Sequence, residues 1–288
     1  MKFPKIKRRS FNRSVGGDIG INVMLIIFGA FMFLPMIYAI SQSLKPLDEL
    51  WMYPPQFYVV NPTFGNFSLM FKTLQTSWIP FSRYLFNTLF VSIIGTGGHV
   101  ILASMAAYAL SKRKFYGSEF IFKIITLSLM FSASVTGIPT FIIMAKCMLI
   151  DTYWSIILPA FSSTLGLYLM KQFMEMMVND SVIEAAHIDG AGEFRIFWVI
   201  VMPMVKPAWL TLIVFSFQGL WNATGATYIY SEELKSLNYA VSQIVSAGIA
   251  RAGTAAAAIV FMMALPILVF VFTQSNIVET MSSSGVKE

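Results

Sequence analysis

Residues 179–207, NDSVIEAAHIDGAGEFRIFWVIVMPMVKP, lie between two very apolar stretches and carry an ordered pattern of charged, small and turn-forming residues. Ser181 and Glu184 have the spacing of a capping box, in which a hydroxyl and a carboxylate satisfy free N–H groups at a helix start. The pattern therefore predicts a short helix that begins near Val182.

A turn and a second helix are predicted to follow. Asp189-Gly190 supplies the turn, because glycine enters the left-handed backbone region without the clash of a β-carbon. The chain then starts again at Ala191, with mostly apolar residues. Pro203 and Pro207 lack the N–H that continues a helix, so each predicts a kink or a restart. A membrane span is expected after Pro207.

The pair Ala185-Ala186 leaves a narrow helix surface behind Glu184 that another protein can approach closely. The alternative is that two alanines are simply good helix-forming sequence and that Glu184 is only a cap. On the residues alone, this second interpretation is favoured.

The composition predicts a polytopic membrane protein. Of the 288 residues, 57% are hydrophobic and 12% are charged, with a mean hydropathy of +0.70, whereas soluble proteins average about 25% charged residues. The net charge of +6 fits basic residues in cytoplasmic loops better than a nucleic-acid partner. The single cysteine, Cys147, cannot form an internal disulfide, and the sequence shows no Cys/His cluster with metal-ligand spacing, so no metal site is expected.

A spanning helix needs about 20 mostly apolar residues. Six windows meet this criterion, at roughly residues 19–40, 86–110, 120–145, 154–173, 207–228 and 254–273. A signal peptide is the alternative for the first window, but its apolar region would be only about 7 to 15 residues long and would end at small residues. The first window is longer and lacks that ending, so a retained span is predicted.

The basic residues predict the orientation. Most Lys and Arg residues fall on the side that holds the N-terminus, which places both termini and residues 179–207 in the cytoplasm. The expected divisions are a cytoplasmic N-terminal segment at 1–18, a first transmembrane helix at 19–40, an extracytoplasmic loop at 41–85, a core of five spans at 86–275 that includes residues 179–207, and a cytoplasmic tail at 276–288.

Two predicted spans carry polar side chains at membrane depth. His99 follows a run of small residues in the second span, and a packing or cavity-lining role is favoured over a proton relay, because no intramembrane Asp or Glu accompanies it. In the fifth span one helix face is polar and aromatic. Its residues are Thr211, Phe215, Gln218 and Asn222, with Trp221 beside them.

This face suits a carbohydrate path. Amides offer donors and acceptors to sugar hydroxyls, and an aromatic ring packs against the C–H surface of a pyranose. Hydrogen bonding between helices explains Gln and Asn equally well, so a substrate path and a packing role remain alternatives.

Residues 179–207 closely resemble the EAA loop of ABC-importer permeases. The matching positions are Glu184, Ala185, Ala186, Asp189, Gly190, Ala191, Phe197, Ile200, Pro203 and Pro207. In that family the loop is cytoplasmic, and its short coupling helix docks in a cleft of the ATPase subunit. Met202-Pro203 replaces the family's Leu-Pro, a swap between apolar residues of similar volume.

The resemblance implies two groups of functional residues. One group would contact the ATPase: Glu184, Ala185, Ala186, His187, Asp189, Gly190 and Ala191. The other would shape the loop: Ser181, Pro203 and Pro207.

Nearly the whole chain is similar to MalG-like permeases of carbohydrate ABC importers, including Tyr84, Asn87 and Thr88 at the second span and the Trp221-Asn222 pair. This resemblance implies an all-α type I importer fold of the MetI/MalG kind, with six transmembrane helices in a bacterial inner or plasma membrane. It also implies a second, MalF-like permease, an ABC ATPase dimer, an extracytoplasmic solute-binding protein and a carbohydrate substrate.

The energy source is expected to lie in another subunit. The chain contains no G-x-x-x-x-G-K-[ST] motif, so no cofactor is expected on it and Mg-ATP would be bound by the partner ATPase. A secondary transporter or channel and a membrane enzyme are the alternatives from other classes, but intramembrane ionisable pairs or a catalytic set would then be expected. Di- or oligosaccharides are the expected substrates, with acidic oligosaccharides, polyols and glycerol phosphate esters left open.

Overall fold

A computed structural model describes residues 15–75, 79–113, 115–248 and 251–284, with side chains masked at 15, 133 and 275–284. Its helices are α1 Val15–Leu44, α2 Leu47–Leu50, α3 Gly65–Gln75, α4 Phe81–Lys112, α5 Ser118–Ser128, α6 Ala133–Lys146, α7 Trp154–Phe161, α8 Thr164–Met177, α9 Asp180–Ile188, α10 Glu193–Arg195, α11 Met202–Met204, α12 Lys206–Trp221, α13 Leu237–Ser246 and α14 Ala252–Ser284. A π-helical segment, Ile196–Val201, joins α10 to α11, and a 3₁₀ turn, Glu232–Leu234, precedes α13. Within these described residues all regular structure is helical, and the segments between the helices are turns and irregular loops.

Helix α4 is the centre of the bundle. It packs against α7, α8 and α12, while α12 also packs against α14. Helix α1 lies against α14, and its apolar window has no buried residues within the single chain. The two larger hydrophobic clusters among the described residues lie around Met170, Met174 and Phe197 at one end of the bundle and around Trp221 and Leu237 at the other.

The predicted spans are only partly continuous helices. Among the described residues, three helical segments are long and apolar enough to cross a membrane, Gly16–Leu44, Phe81–Lys112 and Ala252–Gln274. A fourth span results if Glu193–Met204 and Lys206–Trp221, bent by 81°, are joined. The third predicted window is divided into α5 and α6, and the fourth into α7 and α8. The fifth ends at Trp221 and not at 228.

Serine residues explain both interruptions. Ser132 and Ser163 have extended backbones and occupy the N-cap positions of α6 and α8. Serine favours such positions because its short side chain competes with helical hydrogen bonds. The apolar windows do not show these breaks, since the flanking residues stay apolar on both sides.

The remaining boundaries differ in smaller ways. Helix α1 extends beyond the predicted 19–40, α4 begins at Phe81 and not at 86, and α14 continues to Ser284. The predicted extracytoplasmic loop contains α2 and α3. Most of the predicted N-terminal segment, residues 1–14, and the last tail residues, 285–288, lie outside the described residues.

Candidate functional site

Residues 178–207 are named the coupling segment after the role that the resemblance implies, and their helix α9 starts two residues earlier than predicted. Helix α9 starts at Asp180 and its N-cap is Asn179, with no side-chain capping bond, so the predicted capping box of Ser181 and Glu184 is wrong. Ser181 lies inside the first turn and Glu184 points outward. Lys112 of α4 pairs with Asp180 and thereby fixes this earlier start.

The end of α9 is a Schellman motif at Gly190, as the Asp189-Gly190 turn predicted. Gly190 has φ +77°, and its N–H donates to the His187 carbonyl at 3.0 Å. The next N–H, of Ala191, donates to the Ala186 carbonyl at 2.9 Å. These two bonds satisfy carbonyls that the helix end would leave free, and the left-handed backbone at Gly190 makes them possible.

The two alanines of α9 face different ways. Ala186 is buried with Ile183 in the hydrophobic cluster, whereas Ala185 is exposed beside Glu184. Helix α9 is therefore anchored by one apolar side and presents the other to solvent. The narrow surface predicted for the Ala-Ala pair is provided by Ala185 alone.

Two exposed apolar side chains border this surface, and sequence reasoning missed both. Ile188 is 86% exposed and Phe194 is 72% exposed, on either side of the Gly190 turn. Exposed apolar patches mark protein–protein or membrane interaction sites, so the tip of this loop is a candidate docking surface. Their signal in the sequence was weak, because apolar residues are frequent throughout the chain.

Basic residues at the end of α4 clamp the coupling segment. Lys112 Nζ donates to the Val178 carbonyl at 2.6 Å and to Asp180 Oδ1 at 2.8 Å, with only 6% of its side chain exposed. The pairing sets the start of α9. The sequence indicated only an orientation signal for these basic residues, so the clamp is a structural finding.

A second set of contacts holds the turn. Arg113 is paired with Glu193 and lies 2.8 Å from His187 Nε2. The Tyr108 hydroxyl donates to the other Glu193 oxygen at 3.0 Å. Helix α4 and Arg113, the residue that follows it, thus contact both ends of the exposed surface.

The Lys112→Met variant tests the clamp. Methionine keeps the apolar stem but removes the lysine's hydrogen bonds to the Val178 carbonyl and to Asp180, a loss of about 1–3 kcal/mol. We expect amide exchange across residues 178–183 to accelerate roughly tenfold or more. Lys123→Met, at an exposed position on α5, is the control. Unchanged exchange in Lys112→Met would contradict the clamp.

Proline residues shape the far end of the segment as predicted. Pro207 occupies the first turn of α12, where its missing N–H is harmless. The helix breaks at Val205, and the indole of Trp209 donates to the Met202 carbonyl at 3.1 Å. This side-chain bond satisfies a carbonyl beside the break. Pro203 lies in α11, before the 81° bend.

The predicted path residues on α12 do not all share one environment. Phe215, Gln218 and Asn222 are exposed along one side of the helix. Thr211 is half-buried, and its hydroxyl donates to the Pro207 carbonyl at 2.8 Å. Trp221 is 1% exposed and its indole donates to the Met262 carbonyl at 2.8 Å. Trp221 is thus a core residue and does not line the path.

An amide-lined cavity of about 500 Å³ opens beside this side of α12. Gln218 and Asn222 line it together with Asn238 of α13, and its other walls come from apolar residues of α12, α13 and α14. The Asn238 amide donates to the Asn222 carbonyl. Asn238 was missed because it lies 16 residues further along the chain, outside the predicted span. Three amides on apolar walls can hydrogen-bond hydroxyl-rich solutes.

The helices are also tied together at the end of the bundle opposite the coupling segment. Asn87 of α4 donates to the carbonyls of Glu233 and Lys235, at 2.8 and 2.9 Å, and accepts from Tyr153 at 2.6 Å. Thr88 accepts the Leu237 N–H at 2.7 Å. Asn87 and Thr88, two positions that resemble those of carbohydrate-importer permeases, therefore hold the segment that leads into α13.

Charged groups stabilise the same region. The Ser231 hydroxyl and N–H and the Tyr230 N–H donate to Asp151 and lower the pKa of its carboxyl. Burial alone raises the pKa of Glu232, but hydrogen bonds from Lys235 and Tyr84 outweigh it and the net shift is downward. Both carboxylates therefore stay charged at neutral pH, and their contribution is lost only under acid conditions, as pH falls through these lowered values.

Similar proteins show what this architecture is used for. The family model for "binding-protein-dependent transport system inner membrane component" matches residues 99–282. A polygalacturonan/rhamnogalacturonan transport system permease protein, YtcP, of Bacillus subtilis is 29% identical over 225 residues, covering 78% of this chain and 74% of that protein. The sn-glycerol-3-phosphate transport system permease protein UgpE of Yersinia enterocolitica is 30% identical over 208 residues, covering 72% of this chain and 74% of that protein.

A solved structure agrees over almost the full length. A chain from the crystal structure of a bacterial ABC transporter involved in the import of the acidic polysaccharide alginate superposes with a TM-score of 0.76 and 25% identity, covering 92% of this chain and 99% of that one. The family match covers the second half of the central helix from residue 99, the coupling segment and the polar side of α12. The chain belongs to the binding-protein-dependent transport system inner membrane component family, the permease subunits of ABC importers.

Proposed function

We propose that this chain forms half of the translocation pathway of an ATP-driven importer for oligosaccharides, and that α9 is its coupling helix. The observation that carries the proposal is the coupling segment itself. It presents an exposed surface of Glu184, Ala185, Ile188 and Phe194, while Lys112 and Arg113 link it to the central helix. An ATPase that moves this surface would tilt the bundle as a rigid body.

The proposed assembly contains a second, MalF-like permease, two ATPase domains and an extracytoplasmic solute-binding protein. Support comes from the family description, which names binding-protein dependence, and from the unburied apolar faces of α1. Mg-ATP would bind to the ATPase subunits, and Glu184, Ala185, His187, Asp189 and Gly190 would lie at that interface.

We further propose six spans with both termini in the cytoplasm. In this topology α5 with α6, and α7 with α8, cross as interrupted helices. The contacts support it, because segments assigned to one side of the membrane touch each other. Lys112 pairs with Asp180 on the proposed inner side, and Asp151 accepts from Ser231 on the proposed outer side.

Cysteine labelling tests this topology. Cys147 is the single native cysteine and is exposed, on the proposed outer side. We expect a membrane-impermeant maleimide to label it in intact cells. In a Cys147→Ser background, His187→Cys should react only in inside-out vesicles. Labelling of position 187 from outside intact cells would overturn the orientation.

The substrate class is inferred from the site and from the relatives. The three amides beside α12 suit hydroxyl-rich solutes, and two similar proteins are described by acidic polysaccharides, polygalacturonan/rhamnogalacturonan and alginate. Acidic oligosaccharides are therefore the leading substrates. A glycerol phosphate ester is the second candidate, because the relative from Yersinia enterocolitica is an sn-glycerol-3-phosphate permease.

The decisive experiment uses the purified complete importer with its binding protein. ATP hydrolysis is measured with oligogalacturonides, alginate oligosaccharides, malto-oligosaccharides and sn-glycerol 3-phosphate. We expect an oligosaccharide to stimulate hydrolysis most. Stimulation by sn-glycerol 3-phosphate alone would replace the substrate assignment with the second candidate.

A further inference from the structure

The outer cap, residues 45–66 between α1 and α3, presents an uncharged and apolar surface. Residues 50–71 contain no Asp, Glu, Lys or Arg, although loops that lie in water are usually polar. Large side chains in this stretch are each more than half exposed, namely Trp51, Met52, Tyr53, Phe57, Tyr58 and Phe64. A patch of this kind marks a protein–protein or a membrane interface.

Hydrogen bonds hold the outer cap in one shape. The Glu49 side chain is buried, and its carboxylate accepts the N–H groups of Val60 and Asn61 at 3.1 and 2.7 Å. Buried Lys45 donates to the Gln56 carbonyl. The ammonium and the carboxylate are thus turned inward, and the backbone that they hold presents the aromatic side chains at the surface.

Contacts with α1 and α14 set the depth of the outer cap. The rings of Tyr38 and Phe57 lie 5.5 Å apart, edge to face. Tyr38 lies six residues before the end of α1, or about 9 Å along the helix axis, so Phe57 lies beside the apolar span. The cap also touches the start of α14, where a β-carbon on Gly253 would clash with Asn66. The cap therefore folds back against the ends of two spans.

The polar ends of the aromatic side chains have no protein partner in the part of the chain that the structure describes. This holds for the hydroxyls of Tyr38, Tyr53 and Tyr58 and for the indole N–H of Trp51. A dry protein interface would have to supply a partner for each of these groups. The headgroup layer of a bilayer offers acceptor oxygens and water beside hydrocarbon, which suits rings with one polar end.

We propose that the outer cap is a membrane-interface anchor, whose aromatic side chains lie among the phospholipid headgroups of the leaflet beside it and hold the end of α1 at that depth. Residues 50–71 bring no charge that would have to leave water. The cap continues the surface of α1, which exposes apolar residues on all sides. Helix α1 can therefore contact the second permease on one side and lipid on another. The inference goes beyond the proposed function, because it concerns neither the solute nor the ATPase.

Quenching of a fluorescent label by lipid-borne nitroxides tests the anchor. In a Cys147→Ser background, Tyr53→Cys and Tyr58→Cys each carry a bimane label, and both side chains are exposed, so the fold should tolerate the change. The full chain is placed in phosphatidylcholine nanodiscs, alone and within the importer, before and after the binding protein is added. The nitroxide is on the headgroup or near the end of the acyl chain.

Two labelled positions serve as controls. Phe28→Cys lies near the middle of α1 and is exposed there, so it reports the hydrocarbon region in the chain alone. Glu233→Cys is exposed in the charged segment that precedes α13, so it reports water at the same end of the bundle. Circular dichroism of each labelled sample shows that the fold is kept.

We expect the headgroup nitroxide to quench the labels at positions 53 and 58 several-fold more than the label at position 233. It should also quench them more than the acyl-chain nitroxide does, whereas the label at position 28 should show the reverse preference. Quenching at 53 and 58 should be the same in the chain alone and in the importer, with or without the binding protein, because lipid covers the cap.

Three outcomes overturn the anchor. Quenching at positions 53 and 58 that is as weak as at position 233 in the chain alone would place the cap in water. Strong quenching in the chain alone that is lost in the importer would show that the second permease covers the cap. Loss only after the binding protein is added would assign the surface to that protein.

Discussion

Gly190→Pro is expected to abolish ATP-driven uptake and substrate-stimulated ATP hydrolysis while the protein still inserts in the membrane. Gly190 has φ +77°, which proline cannot adopt because its ring fixes φ near −65°. Proline also removes the N–H that donates to His187. The turn that joins α9 to α10 would open, and the exposed surface would lose its fixed position relative to α4. Uptake and hydrolysis are measured in proteoliposomes, and insertion by membrane fractionation.

Gly192→Ala is the matched control, two residues away. Gly192 has φ −74° and open space around the position of a β-carbon, so alanine fits without strain. We expect near-normal uptake from this variant. Normal uptake by Gly190→Pro as well would show that the Schellman turn has no part in coupling.

Glu184→Lys is expected to give the second large loss, by a different route. Glu184 is exposed, and no salt bridge involving it is found within the described residues. Charge reversal should therefore leave the fold intact and act on the partner. We expect the ATPase cleft to present a cationic group to Glu184, so that a lysine there would face a like charge, which opposes docking. Co-purification with the ATPase and hydrolysis by the complete importer both report the loss.

The control for this variant is Glu119→Lys. Glu119 is also exposed, near the start of α5 on the same proposed side of the membrane, but it lies outside the coupling segment. It should co-purify with the ATPase as wild type does. If Glu184→Lys retains full ATPase binding and uptake, the proposed docking surface is not on α9.

Local chemistry allowed the turn and the restart of the coupling segment to be predicted. Gly190 adopts the left-handed backbone expected of it, and Pro207 lies in the first turn of α12. The start of α9 was wrong because a capping box is a local signal. Lys112, 68 residues away in the chain, pairs with Asp180 and fixes a different start. A tertiary contact of this kind has no signature in the sequence around α9.

The spans show the same limit. Hydropathy identified the apolar windows, but it averages over about 20 residues and cannot show a helix break that is only a few residues long. Ser163 interrupts the fourth window without lowering its apolar content much. That break places the start of α8 beside His99.

On α12 the periodicity placed Phe215, Gln218 and Asn222 on one side correctly. It could not tell that Trp221 points into the core, where Met262 of α14 accepts its N–H. It also could not find Asn238, which completes the amide set from α13. Helical periodicity identifies residues that share a face, whereas their surroundings depend on which helices pack there.

The most direct test of the account is uptake of a labelled oligosaccharide into proteoliposomes that contain this chain, with partners omitted one at a time. The stimulating oligosaccharide and the cognate binding protein are those identified in the hydrolysis assay. We predict accumulation only when the second permease, the ATPase subunits, the binding protein and ATP are all present. Accumulation by this chain without the ATPase or without ATP would contradict the claim that α9 transmits the energy of ATP hydrolysis from a separate ATPase subunit to the permease.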